Sequence, residues 1–157
     1  MGEHHYRTTL LWRGSTGRGY DAYSREHEVG AAPADARLRL SSDPAFRGDE
    51  ALLNPEQLLL ASASSCLLLS FLAVAARSRV NVVAYDDRAS ATMPEARPMR
   101  ITHVEHRPRI TVVGDVDDAK VRRMLDLAHR ECFIANTLDV ETTIEPIVVH
   151  AQAGEET

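Results

Sequence analysis

The pattern of apolar and polar positions in the first third of the chain is typical of β-strands. Residues 6–12 and 20–29 predict two strands of a hairpin, joined by a glycine-rich turn at 14–19. Residues 36–40 alternate apolar with cationic side chains, which is the two-residue period of a half-exposed strand. Residues 41–53 have the composition of a loop. This part of the chain is therefore expected to be mostly β-structure.

The most hydrophobic segment predicts one long central helix. Asn54 is a good N-cap, Pro55 suits the first helical position, and Glu56 favours the positive end of the helix dipole. The helix is expected to continue to about Arg79. Its apolar run at 67–76, with its flanks, approaches the length of a membrane span, but serines interrupt the segment and charges bound it. We therefore expect no membrane span, and a helix buried all round in a protein core or a subunit interface.

The second half of the chain predicts a mixture of strands and one more helix. In order these are strands at 82–93 and 99–113, a helix capped by residues 115–118, and a last strand near 142–149. Consecutive strands without intervening helices favour antiparallel pairing, so the predicted fold class is α+β. Residues 1–157 are expected to form one domain, with an ordered core at about 6–149 and a frayed tail.

Composition and charge narrow the classes of function. The net charge of −5 argues against a nucleic-acid partner, because nucleic-acid binders usually carry a basic face. The first residues lack the basic and apolar regions of a secretory signal, and two cysteines do not make a secreted disulfide framework. The cytoplasm is therefore the expected location, where a cysteine pair is more often catalytic, redox-active or metal-binding than structural.

The two cysteines are the candidate chemical groups. Cys66 lies inside the apolar helix and Cys132 follows the second helix. The setting of Cys66 alone favours an inert, packed thiol. A reactive thiolate would need a nearby cation or hydrogen-bond donor, and Cys66 is too deep in the helix for the helix dipole to contribute much. Whether the pair is a nucleophile with its resolving thiol or two inert thiols stays open at this point.

Several arginines could supply the cation. Arg18, Arg25 and Arg47 precede the central helix, and each could equally be a solvated surface charge. Glu56 could orient such an arginine, because guanidinium and carboxylate groups form bidentate pairs of fixed geometry. Ten residues of helix span about 15 Å, so Glu56 cannot touch Cys66 of the same helix. It would act through an arginine, or from a partner subunit.

Other chemistries find little support in the sequence. The chain has no CxxC, HExxH or GxSxG motif, and its glycine-rich turn lacks the order of a phosphate loop. His103 and His106 would lie on opposite faces of a strand, whereas His129 and Cys132 could share a helix face. Two ligands do not make a closed zinc site. No metal and no cofactor is predicted.

The residues around the cysteines resemble a known family. Asn54-Pro55-Glu56-Gln57-Leu58, a small-residue stretch, Cys66, and a second cysteine after a later helix are similar to the OsmC/Ohr family of osmotically induced and organic hydroperoxide resistance proteins. Residues 17–27 and 41–49 resemble an OsmC-like subgroup, and the likeness extends over about 6–149. The resemblance implies an α+β homodimer whose long central helices are enclosed by antiparallel sheets from both subunits.

The resemblance also implies an activity and roles for four residues. It implies a thiol peroxidase that reduces small apolar hydroperoxides, with Cys66 as the peroxidatic cysteine and Cys132 as the resolving cysteine. Glu56 would position an arginine, for which Arg47 is closest to the OsmC-type placement. A dithiol reductant, for example a lipoylated protein, would reduce the resulting disulfide.

One departure and two alternatives accompany this resemblance. Typical members have proline after the second cysteine, where this chain has Phe133. That substitution puts the shape of the substrate pocket and the choice of reductant in question. One alternative is a stress-associated dimer of the same fold that binds a small apolar ligand and has little peroxidase activity. The other is a structural dimer with two inert cysteines.

Overall fold

The computed structural model describes residues 2–152 as two compact units. The first comprises residues up to Leu58 and the second begins at Leu59. Most of the predicted frayed tail lies outside the described residues. The expectation of a single domain stays a prediction.

The first unit contains a three-stranded antiparallel sheet. Its strands are β1 (Thr9–Leu11), β2 (His27–Gly30) and β3 (Arg37–Leu40), in the order β1-β2-β3. The predicted hairpin is confirmed, but both of its strands are shorter than expected. In the segment between them, backbone turns and side chains make the hydrogen bonds, and Trp12 Nε1 donates to the Ser24 carbonyl at 2.8 Å. A short 3₁₀ helix, Pro44–Phe46, lies in the predicted loop.

The central helix α1 extends over Pro55–Arg77. Its start is a capping box, in which the Gln57 amide donates to Asn54 Oδ1 at 2.8 Å and the Asn54 amide donates to Gln57 Oε1 at 3.1 Å. The predicted N-cap and first residue are therefore confirmed. The helix ends two residues before the expected Arg79, which adopts a left-handed backbone with a φ of 55°.

The second unit contains two three-stranded sheets. One has the order β4-β7-β9 and the other β5-β6-β8. The strands are β4 (Asn81–Asp87), β5 (Ser90–Thr92), β6 (His103–His106), β7 (Pro108–Val113), β8 (Glu141–Ile144) and β9 (Ile147–Ala151). Each long strand predicted in this half is therefore two shorter strands in different sheets. Prolines that cannot donate to a ladder contribute to this, because Pro108 begins β7 and Pro146 separates β8 from β9.

The strand pairing corrects part of the prediction. The α+β class is confirmed, but only some pairs are antiparallel. β6 pairs with β8 and β7 with β9 in parallel. Both parallel pairs join strands separated by α2 (Asp118–Glu131) and α3 (Phe133–Thr137), which provide the crossover that parallel strands need. The sequence pattern predicted α2 but not α3.

The core of the second unit forms between α1, α2 and the β4-β7-β9 sheet. α1 contributes one face at helical spacing, and α2 contributes the four apolar positions that its sequence predicted. Phe71 is fully buried, and its ring centroid lies 5.7 Å from that of Tyr85 on β4. The buried cluster comprises Leu67, Phe71, Val74, Ala75, Ile110, Val112, Val116, Val121, Met124, Leu125 and Ala128.

The opposite face of α1 is not covered within the chain. Leu69 is 63% exposed and Leu72 is 39% exposed. α1 is long and apolar enough to span a membrane by length and composition, and 28% of its most apolar window is buried. One copy of the chain therefore buries only one face of α1 within residues 2–152, and the expectation of burial in a core or a subunit interface stays a prediction.

Candidate active site

The second unit brings the two cysteines together. Cys66 lies on α1, and Cys132 lies between α2 and α3, where it is the N-cap of α3. Two consecutive backbone amides point at the two sulfurs: Ile134 N–H donates to Cys66 Sγ at 3.5 Å, and Ala135 N–H donates to Cys132 Sγ at 3.4 Å. The first turn of α3 thus holds both thiols against one short stretch of backbone. No disulfide joins the two cysteines.

The two thiols differ in their access to solvent. Cys66 is half-buried and opens onto a surface pocket of about 550 Å³, whereas Cys132 is 1% exposed. The pocket is lined by Cys66, Leu69, Ser70, Ala73, Arg77, Glu131, Phe133 and Asn136. A small molecule in this pocket can therefore reach the sulfur of Cys66, while Cys132 is shielded behind it.

The surroundings of Cys132 keep it protonated. Burial raises the pKa of its thiol, and the neighbouring Cys66 raises it further, while the Ala135 amide acts in the opposite direction. A thiol with a raised pKa is a poor first nucleophile, because the thiolate is the reactive form. The raised pKa makes Cys132 better suited to a second step than to the first attack on a substrate.

Phe133, which stands where the resembled family typically has proline, lies at the start of a helix. Phe133 is the first residue of α3, with Cys132 as its cap, and its side chain is 80% exposed. Proline is favoured at the first position of a helix, where no hydrogen-bond donor is needed. The position therefore accommodates either residue without a different backbone path, and the change adds an aromatic ring to the rim of the Cys66 pocket.

The other predicted site residues lie in the first unit and are not joined to one another. The exposed Arg47 has a left-handed φ of 67° and forms a 3.0 Å ion pair with Asp21. Glu56 is half-buried, and within residues 2–152 no ion pair links it to Arg47, Arg25 or Arg18. Their roles at the site stay predictions.

Arg25 is held by both hydrogen bonds and aromatic rings. Its guanidinium lies 3.9 Å from the ring centroid of Tyr23 and 4.6 Å from that of Tyr20, and it donates to the carbonyls of both residues. These hydrogen bonds use two of its five N–H donors. It also lines a second pocket of about 390 Å³, together with apolar side chains such as Leu10 and Trp12.

Sequence reasoning missed an arginine at the Cys66 pocket. Arg77, at the end of α1, lines this pocket and pairs with Glu131 at 2.5 Å. It is 11 positions from Cys66 along the same helix, a spacing of three helical turns. That spacing was the available signal, but only the tertiary position of Glu131 reveals the ion pair.

Sequence reasoning also missed a buried polar cluster next to the thiols. His106 is 3% exposed, and its Nδ1 lies 2.7 Å from Asp87 Oδ2. Asp87 also accepts hydrogen bonds from Ser64 Oγ and from the Arg107 amide, the latter at 2.9 Å. The opposite faces predicted for His103 and His106 are confirmed, since His103 is only partly buried. Among the described residues, no group of three or more His, Cys, Asp or Glu side chains is arranged to hold a metal ion.

The fold and the paired thiols define a class, an α+β protein with a dithiol in which only one sulfur is accessible. The sequence model of the OsmC-like protein family matches residues 48–146, which is more than half of the chain. The chain therefore belongs to the OsmC-like protein family. No curated protein matches it.

Solved structures share this fold over nearly the whole chain. An OsmC-like protein of unknown function from Vibrio cholerae is 27% identical, with a TM-score of 0.83 over 92% of this chain and 100% of that chain. An organic hydroperoxide resistance protein OsmC from Legionella pneumophila is 15% identical, with a TM-score of 0.66 over 94% and 99%. One from Elizabethkingia anophelis is 14% identical, with a TM-score of 0.66 over 96% and 99%. The latter two are similar in fold alone.

Proposed function

We propose that this protein is a dithiol peroxidase that reduces organic hydroperoxides to alcohols. The observation that carries the proposal is the pair of sulfurs held by the consecutive amides of Ile134 and Ala135, with Cys66 open to a pocket and Cys132 buried. A nucleophile must meet its substrate, whereas a resolving thiol must meet only the nucleophile. The names of two proteins of the same fold, both organic hydroperoxide resistance proteins, agree with this chemistry.

The reaction balances with the two thiols alone. The Cys66 thiolate attacks the distal oxygen of the hydroperoxide, the O–O bond breaks, and the alkoxide takes a proton to leave as the alcohol. Cys66 is then a sulfenic acid. Cys132 attacks its sulfur, an S–S bond forms, and the hydroxyl of the sulfenic acid leaves as water. A dithiol reductant restores both thiols by exchange.

The pocket composition favours an organic substrate over hydrogen peroxide. Leu69, Ala73 and the exposed ring of Phe133 give the rim beside Cys66 an apolar character. Transfer of an alkyl or aryl group from water to such a surface lowers the free energy of binding. Hydrogen peroxide has no such group and receives no such stabilisation. We expect small apolar hydroperoxides to react faster than hydrogen peroxide.

The test is oxidation of the reduced protein by stoichiometric cumene hydroperoxide. Both thiols should be lost, and the intact mass should fall by two hydrogen atoms. In Cys66→Ser the remaining thiol should persist, and in Cys132→Ser a sulfenic acid should be trapped by dimedone. Unchanged thiols under excess peroxide would remove the basis for the proposal. The same assay tests Arg47 and Glu56: Arg47→Ala and Glu56→Gln should slow the first step, with Arg37→Ala, at an exposed arginine outside the candidate set, as the matched control.

A homodimer is part of the proposal. The uncovered face of α1 exposes Leu69 and Leu72, and a second copy of the chain would remove this apolar surface from water. Sedimentation at several concentrations tests it. A monomer at all concentrations would contradict it, and recovery in the membrane fraction would favour insertion of α1 instead.

A ligand-binding protein of the same fold is the second candidate. The apolar pocket of the first unit, with Leu10, Trp12 and Tyr23 in its lining, is the observation that favours it. The two functions differ in the pKa of Cys66, which alkylation rates measured against pH would report. A strongly lowered value supports the peroxidase, and an ordinary or raised value supports the binder.

A further inference from the structure

The buried pair of Asp87 and His106 has no part in the chemistry described so far. The side chain of Asp87 is 5% exposed and that of His106 is 3% exposed. A carboxylate can only accept hydrogen bonds, so the imidazole donates from Nδ1 and its Nε2 is left to accept. A desolvated polar pair is costly to retain without a role in structure or function.

The environment keeps Asp87 ionised. Burial by itself would raise the pKa of this carboxyl group, but hydrogen bonds from His106 and Ser64, with the Arg107 amide, lower it below its ordinary value. An ionised carboxylate on Nδ1 fixes the tautomer of the ring and stabilises the imidazolium that forms when Nε2 takes a proton. This arrangement is the one in which a carboxylate prepares a histidine to act as a general base.

His106 and Cys132 both line one small cavity. This cavity, of about 10 Å³, is lined by His106, His129 and Cys132, and otherwise by aliphatic side chains and Thr142. It is about the size of one water molecule. Burial lowers the pKa of His129, and a positive charge on His106 would lower it further, although Asp126 opposes this shift. Two imidazoles this close do not readily become charged together.

The proposed resolution step needs a base at this position. Cys132 must lose a proton to attack, yet it is almost fully buried. Besides His106, its titratable neighbours are His129, Cys66 and Tyr85. Of the two imidazoles, only His106 is hydrogen-bonded to a carboxylate within residues 2–152. Burial raises the pKa of the Tyr85 phenol, and the charges of Asp87 and Cys132 raise it further, so the phenol does not serve as a base. Solvent hydroxide has little access to the thiol.

We propose that His106, oriented by Asp87, is the general base that takes the proton of Cys132 through one water molecule in this cavity, and returns it to the leaving group. This inference rests on the proposed function. With a sulfenic acid at Cys66, the sulfur of Cys132 forms the S–S bond, the S–O bond breaks, and the proton passes from His106 to the hydroxide, which leaves as water. The step consumes only the sulfenic acid of Cys66 and the thiol of Cys132, and it produces a disulfide and water.

The test separates the two oxidation steps in His106→Gln. Stopped-flow mixing with cumene hydroperoxide measures Cys66 sulfenate formation by dimedone trapping, and disulfide formation by loss of the second thiol. We expect the first rate to be unchanged and the second to fall roughly 100-fold. The variant's second rate should rise about tenfold per pH unit, because it now depends on thiol ionisation alone, while the wild-type rate rises less steeply. His103→Gln, on the same strand, is the matched control.

A second variant and a second oxidant keep the outcome decisive. Asp87→Asn has nearly the shape of the carboxylate and should also slow resolution, so it replaces the first variant if His106→Gln does not fold. 2,2′-Dithiodipyridine forms a mixed disulfide at Cys66 that Cys132 resolves by releasing pyridinethione, without any peroxide. Wild-type resolution rates in both variants would overturn the role of His106 and leave the peroxidase proposal standing. Slow resolution of the mixed disulfide with no reaction toward peroxide would overturn the peroxidase but support the base.

Discussion

Oxidation of the reduced protein to the Cys66–Cys132 disulfide is expected to raise its free energy of unfolding. A cross-link removes conformations from the unfolded chain, and the gain is kept when the native state needs little rearrangement to form it. Both sulfurs already lie against neighbouring amides of α3, so the native backbone should change little.

The size of the effect follows from the loop that the disulfide closes. The two cysteines are 66 positions apart, and the chain-entropy relation for a loop of this length gives about 4 kcal/mol at 25 °C. The relation treats the unfolded chain as free of structure, so smaller gains indicate either strain in the bond or residual order in the unfolded state.

Urea unfolding of the reduced and the oxidised protein, at one protein concentration, measures this difference. Cys132→Ser carried through the same peroxide treatment is the control, and its free energy of unfolding should not increase. The prediction concerns the change within each variant, because a buried serine alters stability by itself. Equal stability of reduced and oxidised protein, with the disulfide verified by mass, would refute the reasoning that the two sulfurs are preorganised.

Three further changes test other parts of the second unit. Phe71→Ala should lower the free energy of unfolding by about 3–5 kcal/mol in urea, because it empties a fully buried site in the core, and Phe71→Leu should cost less. Tyr85→Phe should leave stability unchanged or raise it by up to about 1 kcal/mol, because the buried hydroxyl has no hydrogen-bond partner within residues 2–152; a loss of stability would reveal a partner. Asp87 has a lowered pKa in the folded protein, so its stabilisation is present above the pKa of an unfolded aspartate, about 3.9, and is lost as the pH falls through the folded value. Unfolding free energies between pH 7 and pH 3 should therefore fall less steeply in Asp87→Asn than in the wild type.

Local patterns in the sequence were sufficient to predict α1, α2 and their N-terminal caps, but not α3. The apolar spacing around Val121 and Leu125 predicts the buried face of α2, and Asn54 and Pro55 mark the start of α1, because these features depend on neighbouring residues alone. The ends of the strands could not be predicted as well from local patterns. A proline such as Pro108 can begin a strand as well as end one, and the choice between sheets depends on long-range pairing.

The candidate site was also predicted only in part. The likeness around Cys66 and Cys132 indicated the pair, and the structure places the two thiols together. The sequence did not identify His106 as a residue of the site, because the contact of His106 with Asp87 depends on how β4, β6 and β7 are arranged. Spacing along one chain carries no information of that kind.

The two amides that face the sulfurs also make the redox state directly observable. The Ile134 and Ala135 protons point at atoms whose charge and bonding change between thiol, sulfenic acid and disulfide. Their backbone NMR resonances should therefore move with each oxidation state, at adjacent positions in one short helix. A redox titration could be followed on the native, unlabelled side chains, with one amide reporting on each cysteine.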